Sequence, residues 1–407
     1  MKEEQVKIVI TGHIDHGKST LIGRLLYDTN SLPEDKMKEI KNVSQSLGRQ
    51  IEFAYVIDNL EEEREQQLTI DTAQLFFKTD KRKYVIIDSP GHKEFIKNMI
   101  TGASQADLAI LLLDANEGIM DQTKRHPYII KMLGINNLIV VINKMDLVCY
   151  DSDKFEKMKE LILNTLLKID LVPDYIIPIS ASNGENILKK SDNMKWYDGL
   201  TILEALDKFE LNHDEKTHFR FPIQDIYELD DKKILAGKIL SGTIKVDDVV
   251  NILPVNKVSR IKSIETFNSK KEYATTGENI GLTLYDDENI EAGMILSDNK
   301  IPLIKKEFEA RLFWLSNKDL KVGEELIIKC ATQESKCIIK KINERIDSSN
   351  LEIIERDAKI LKDTEVGEVI IESEKDLVLE NFNETPELGR FVIIKGYDTA
   401  GAGIIAN

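Results

Sequence analysis

A β-branched run at residues 6–10 leads almost directly into Gly12-His13-Ile14-Asp15-His16-Gly17-Lys18-Ser19, and a helical pattern opens at once behind it. That order constrains the local fold to a strand, a tight glycine turn and a helix. The N–H groups of the turn and the positive end of the helix then converge on one point, which is how a phosphate-binding loop is built. Lys18 reaches the β and γ oxygens of a bound phosphate chain, Ser19 offers its hydroxyl to Mg2+, and Thr20 completes the segment.

The rest of the chain sorts into two patterns. Up to about residue 210, short β-branched runs at 6–10, 84–87, 108–113, 138–142 and 175–179 alternate with helical patterns. Such alternation implies an α/β domain, with a mostly parallel sheet and helices on both faces. From Asp153 onward, Phe155, Met158, Leu161, Ile162 and Leu166 fall on one helical stripe. Met37, Ile40, Val43 and Leu47 mark another helix in the long insert after the first, which is too long for a bare loop.

Beyond Phe219 the helical period gives way to short runs such as 249–253, 337–339 and 391–394. Turn formers punctuate them at Ser241-Gly242, Gly277, Asp286-Asp287 and Gly323, which suits all-β barrels. A chain of 407 residues also exceeds what one core usually holds. The pattern changes near 212–217, and Ile301-Pro302 marks a second boundary because proline cannot donate within a central strand. The expected organisation is a P-loop α/β domain over 1–212, one β-barrel domain over 217–300 and a second over 301–407.

Composition removes several classes of function. A formal net charge of -16 argues against a sequence-independent grip on nucleic acid, which needs Lys and Arg against phosphates. Cys149, Cys330 and Cys337 are too few and too scattered for a disulfide framework or a zinc site, and they read as structural thiols in a reducing compartment. The charged N-terminus offers no signal-peptide core, and the longest apolar run, 108–113, falls far short of the roughly 20 residues that span a bilayer. A cytoplasmic protein without a membrane segment is expected.

Three further motifs follow the phosphate loop in order. Asp88-Ser89-Pro90-Gly91-His92 ends a β-branched strand, where the carboxylate holds the metal through water and the Gly91 N–H approaches the γ-phosphate. Asn143-Lys144-Met145-Asp146 ends another, and Asp146 accepts two hydrogen bonds from the guanine edge that adenine does not offer. Ser180-Ala181, after the last strand, forms the second wall of that base pocket. The charged stretch 63–71 contains Thr69, assigned as the switch threonine that completes the Mg2+ shell.

With these motifs the chain resembles the translational GTPase superfamily over essentially its whole length. The resemblance implies GTP and Mg2+ as ligands, a GTPase domain followed by two β-barrels, and a water-positioning role for His92. Two branches resemble it. One is elongation factor Tu with elongation factor 1-alpha, which deliver aminoacyl-tRNA; the other is the GTPase large subunit of bacterial ATP sulfurylase (sulfate adenylyltransferase). The segments 97–104 and 193–197 look like both. Segments 233–242, 255–264, 313–315 and 388–392 look like the sulfurylase subunit, whose small catalytic subunit would then be the partner. His16 is the elongation-factor choice where many sulfurylase subunits carry aspartate, and Gln67 stands where most relatives have glycine. A tRNA-delivering factor and a regulatory switch stay open as alternatives.

Overall fold

The computed structural model describes residues 5–32, 53, 74–87, 106–119, 121–132, 134–135, 137–210, 218–229, 232–266, 269–348, 352–382 and 384–406. They divide into two compact units, 1–211 and 212–407. The helical pattern expected around Met37 to Leu47 lies outside the described residues.

In the first unit the strands are β1 (Gln5–Gly12), β2 (Gln74–Lys78), β3 (Lys83–Ile87), β4 (Leu108–Asp114), β5 (Leu138–Asn143) and β6 (Tyr175–Pro178). They form one sheet in the order β2-β3-β1-β4-β5-β6. All neighbours run parallel except β2, which pairs antiparallel with β3. Every residue of β4 and β5 is buried, as expected of strands covered on both faces. The strand β2 was not among the expected ones. It sits at the edge with Phe76 55% exposed, so it carries too little buried apolar sequence to read as a core strand.

Four helices accompany the sheet among the described residues: α1 (Lys18–Asp28), α2 (Asp121–Met132), α3 (Ser152–Leu167) and α4 (Ile202–Lys208). The Asp151 side chain caps α3 by accepting from the N–H groups of Asp153 and Lys154. Phe155, Met158, Ile162 and Leu166 are buried, but Leu161 is 53% exposed. One expected member of the stripe therefore faces solvent, because at 100° per residue Leu161 and Ile162 cannot share the centre of one face. Thr201 and Glu204 form a capping box at the start of α4.

The second unit contains two closed rings of antiparallel strands. In the first, β7 (Arg220–Leu229), β8 (Lys232–Lys238), β9 (Val249–Leu253), β10 (Lys257–Thr266), β11 (Asn279–Leu284) and β12 (Ile295–Ser297) pair in the order β7-β8-β11-β10-β9-β12, and β12 returns to β7. Closure removes the unpaired edges that would otherwise recruit other chains. Phe221, Ile223, Leu235, Ile252, Ile261 and Leu282 fill its interior.

The second ring uses β13 (Leu303–Trp314), β14 (Glu325–Cys330), β15 (Gln333–Asp347), β16 (Glu365–Leu379), β17 (Arg390–Lys395) and β18 (Asp398–Ile405) in the order β13-β16-β15-β14-β17-β18, with β18 closing on β13. Leu312, Trp314, Ile328, Ile339, Ile371 and Ile393 pack inside. Gly242, Gly277 and Gly323 hold positive φ at three of the expected turns.

Burial decides the chemistry of the cysteines. Cys330 and Cys337 lie in the second barrel with their thiols pushed up to about 12 by loss of water, while Cys149 is exposed. At pH 8 only about 1 in 10^4 of a thiol titrating near 12 is thiolate. Native protein treated with N-ethylmaleimide is therefore expected to gain one label by mass spectrometry, at Cys149, and three after unfolding. Rapid labelling of either barrel cysteine in the native state would contradict this packing.

Candidate functional site

The strand order turns around β1, whose neighbours are β3 on one side and β4 on the other. In open α/β sheets the crevice beyond the carboxyl ends of the strands at such a switch point is where ligands bind. The chain leaving β1 enters that crevice as a single 3-10 turn, Ile14–His16, then passes Gly17 at φ +89 into α1. Only a residue without Cβ fits two positions of this loop. At Gly12 a Cβ would stand 2.5 Å from the Leu112 carbonyl oxygen, and at Gly17 it would stand 2.7 Å from Asn143 Nδ2. The loop is a cradle that side chains would fill, and the donors it presents are backbone N–H groups at a helix start.

Lys18 Nζ donates to the carbonyl oxygens of Gly12 at 2.8 Å and His13 at 3.0 Å, so its ammonium is held over the loop it follows. Ser19 and Thr20 are half-buried on the first turn of α1, and Asp15 is exposed. His16 is wholly buried, with its Nδ1 2.9 Å from the Leu112 carbonyl. Desolvation is the main influence on its imidazole and holds it below the ordinary value, against the opposing pull of that hydrogen bond and of Asp114.

The segment after β5 is tied to the loop and to the segment after β6. Asn143 donates from Nδ2 to the His16 carbonyl at 2.8 Å and accepts at Oδ1 from the Ala181 N–H at 2.9 Å. One buried side chain thus fixes the distance between the phosphate loop and residues 180–181. Asp146 accepts at Oδ1 from the Ser180 hydroxyl at 2.6 Å, and Ser180 Oγ also takes the Asn183 N–H at 3.3 Å. Lys144 holds φ +62, and its Nζ pairs with Asp114 Oδ2 at 2.7 Å. Beyond this wall, Trp196 donates to the Tyr150 carbonyl at 2.9 Å and packs on Phe155 of α3 at 5.3 Å between ring centroids.

Gly12 to Thr20, Asn143, Lys144, Asp146, Ser180 and Ala181 are thus brought to one end of the sheet, from three separate stretches of sequence. Thr69, Asp88, Gly91 and His92 lie outside the described residues. The structure adds neighbours that the sequence reading did not single out. Asp114 ends β4 as Asn143 ends β5, and it braces Lys144 while accepting from the Asn116 N–H at 2.7 Å. His126 of α2 meets Thr11 at 2.6 Å beneath the loop. Arg24 of α1 donates to the Ser182 carbonyl at 3.3 Å and lies where a Cβ on Gly184 would be. Position at a strand's carboxyl end was the available signal for Asp114; the other two depend on contacts between distant segments.

A phosphate cradle at a switch point, a carboxylate wall behind it and two β-barrels in the second unit together define a P-loop nucleotide-binding protein of translation-factor architecture. Family models agree along the chain. The elongation factor Tu GTP-binding domain matches residues 3–212, elongation factor Tu domain 2 matches 233–297, and the GTP-eEF1A C-terminal domain-like model matches 307–406. The chain belongs to the translational GTPase family and carries its GTPase domain. It is similar to sulfate adenylyltransferase subunit 1 of Alteromonas mediterranea, 36% identical over 99% of this chain and 87% of that protein. The same-named protein of Aliarcobacter butzleri is 36% identical over 100% and 88%. Elongation factor 1-alpha of Pyrococcus horikoshii is 38% identical over 99% of this chain and 98% of that protein. Among the described residues no helix is long and apolar enough to cross a membrane.

Proposed function

We propose that the chain is the GTPase subunit of a sulfate adenylyltransferase, coupling GTP hydrolysis to the synthesis of adenosine 5'-phosphosulfate from ATP and sulfate by a separate catalytic small subunit in the cytoplasm. The observation that carries the choice of branch is similarity along 99–100% of this chain to proteins named sulfate adenylyltransferase subunit 1 in several bacteria. The barrel segments 233–242 and 255–264 support it.

In this reading Gly12, His13, Ile14, Asp15, His16, Gly17, Lys18, Ser19 and Thr20 receive the phosphates of GTP. Asn143, Lys144, Asp146, Ser180 and Ala181 receive the base. Asp146 already takes a proton donor, the Ser180 hydroxyl, at 2.6 Å, which fits an acceptor carboxylate aimed at amine donors of guanine. Ser19, Thr69 and Asp88 would hold Mg2+, which would neutralise charge between the β and γ oxygens. The half-buried Ser19, one residue after the cradle's lysine, suits that role. Lys18 stabilises charge on the transferring phosphoryl group, and His92 orients the attacking water.

Affinity purification from the native cell tests the reading. An ATP-pyrophosphatase-type subunit should come with the chain, and the complex should release pyrophosphate only when sulfate and GTP are both present. A second reading, delivery of aminoacyl-tRNA, is favoured by the match to 98% of elongation factor 1-alpha. In that case filter binding should detect GTP-dependent retention of charged tRNA, and pyrophosphate release should be absent.

A further inference from the structure

Two histidines of the phosphate loop have ring nitrogens that the loop itself does not use. His16 Nδ1 lies 2.9 Å from a carbonyl oxygen, which only accepts, so Nδ1 carries the proton. In the neutral ring Nε2 then bears a lone pair. That atom is buried without a hydrogen-bond partner, and it faces Glu117 Oε2 at 3.6 Å. The buried lone pair and the solvent-facing carboxylate are two acceptors that a cation between them would satisfy together. At 3.6 Å the two atoms are farther apart than a hydrogen bond sets them. His13 Nδ1 is also buried without a partner, and its ring lies 5.3 Å from that of His16.

We propose that His13, His16 and Glu117 form a binding site for a divalent transition-metal ion, Zn2+ by its donor set, between the phosphate loop and the turn after β4. One ligand atom from each residue lies within 4.8 Å of the other two. Tetrahedral Zn2+ with bonds of about 2.0–2.1 Å sets its ligands about 3.3 Å apart, so the three need to close by roughly 1.5 Å at most. The backbone favours this. His13 precedes the 3-10 turn and His16 ends it, and the three-residue period puts i and i+3 on one side. The Nδ1–H bond to the Leu112 carbonyl fixes the His16 ring and leaves its other nitrogen for an ion, as the outer hydrogen bond of a metal-bound imidazole does. Two imidazoles and one carboxylate suit zinc and not magnesium, which prefers oxygen alone. Its donor set thus differs from the hydroxyl that Ser19 offers, and zinc binding there does not rest on the nucleotide assignment. An ion there would pin the phosphate loop to the turn after β4, and the fourth position would stay open to water.

The test uses the full untagged chain, stripped with chelator, without nucleotide, and with Cys149→Ser in every protein to remove the exposed thiol. Zn2+ titrated by calorimetry against a competing chelator should saturate at one ion per chain. Co2+ in its place should give visible bands of a four-coordinate site without a thiolate charge-transfer band. Glu117→Gln, on an exposed side chain outside the loop, should weaken Zn2+ at least about tenfold, and so should His13→Ala. No saturable binding in the parent protein would overturn the proposal. So would an affinity changed by less than about threefold in both variants, or a thiolate band with Co2+.

Discussion

Asp146→Asn is expected to lower GTP affinity by roughly 10^2- to 10^4-fold and to raise affinity for xanthosine triphosphate. Two hydrogen bonds from the guanine edge to a carboxylate are each worth about 1.5–3 kcal/mol, and an amide in that position meets the guanine donors with a donor of its own on one side. Xanthine presents a carbonyl where guanine has its amine, so the same amide complements it. The Ser180 hydroxyl at 2.6 Å from Asp146 and the Asn143 bonds to His16 and Ala181 fix where residue 146 sits. Because the substitution alters one oxygen for one nitrogen, the wall itself should survive. Calorimetric titration of both proteins with both nucleotides measures the exchange. Equal GTP affinity in the two would remove Asp146 from the base pocket.

The parts of this arrangement that could be read from the sequence are those whose cause is local. A glycine-flanked turn between a strand and a helix declares itself over eight residues, and Asn143 to Asp146 does so over four, since each segment supplies its own backbone geometry and chemistry. The strands β4 and β5 were equally legible, being uninterrupted apolar runs. What escaped depends on partners far away. Asp114 is an ordinary strand-end residue until Lys144 is found 2.7 Å from it, and Glu117 is an ordinary exposed acid until it faces His16. Edge strand β2 escaped because it lacks a second buried face, and Leu161 was assigned to the wrong side because periodicity alone does not place the centre of a stripe.

A buried ion pair ties the two barrels of the second unit together. Arg220 of β7 is wholly buried. Its guanidinium donates through Nη2 to Glu380 Oε1 at 2.7 Å and through Nε to both oxygens of that carboxylate. The remaining arm, Nη1, reaches the Phe219 carbonyl at 2.9 Å and Asp298 at 3.2 Å. The pair spans 160 positions and joins the first strand of one barrel to the chain just beyond β16 of the other, beside the apolar cluster of Leu253, Ile295, Val378 and Leu388. Neither partner's environment is visible from its neighbours in sequence.

Arg220→Met should keep most of the volume but strand Glu380 at 7% exposure without a counter-charge. Removing one partner of a buried pair costs about 3–5 kcal/mol, whereas replacing both with apolar groups is often nearly neutral. The single variant is therefore expected to unfold roughly 6–20 °C lower, and Arg220→Met with Glu380→Leu should recover much of that loss. Trp314 fluorescence in a Trp196→Phe background follows the second unit alone, since the chain has 2 tryptophans.

The pH dependence adds a second check. Burial pushes the Asp298 carboxyl up, but the Phe219 N–H, His218, the Lys300 N–H and the Arg220 charge outweigh it and hold it below its ordinary value. A carboxylate depressed in the folded state contributes stability above its unfolded pKa, about 3.9, and loses it as pH falls through the folded value. The parent should thus lose stability on acidification below about pH 4. Arg220→Met should lose less, because one of the groups holding Asp298 ionised is already gone. An unfolding free energy within about 1 kcal/mol of the parent at neutral pH would show that the guanidinium does not hold the two barrels together.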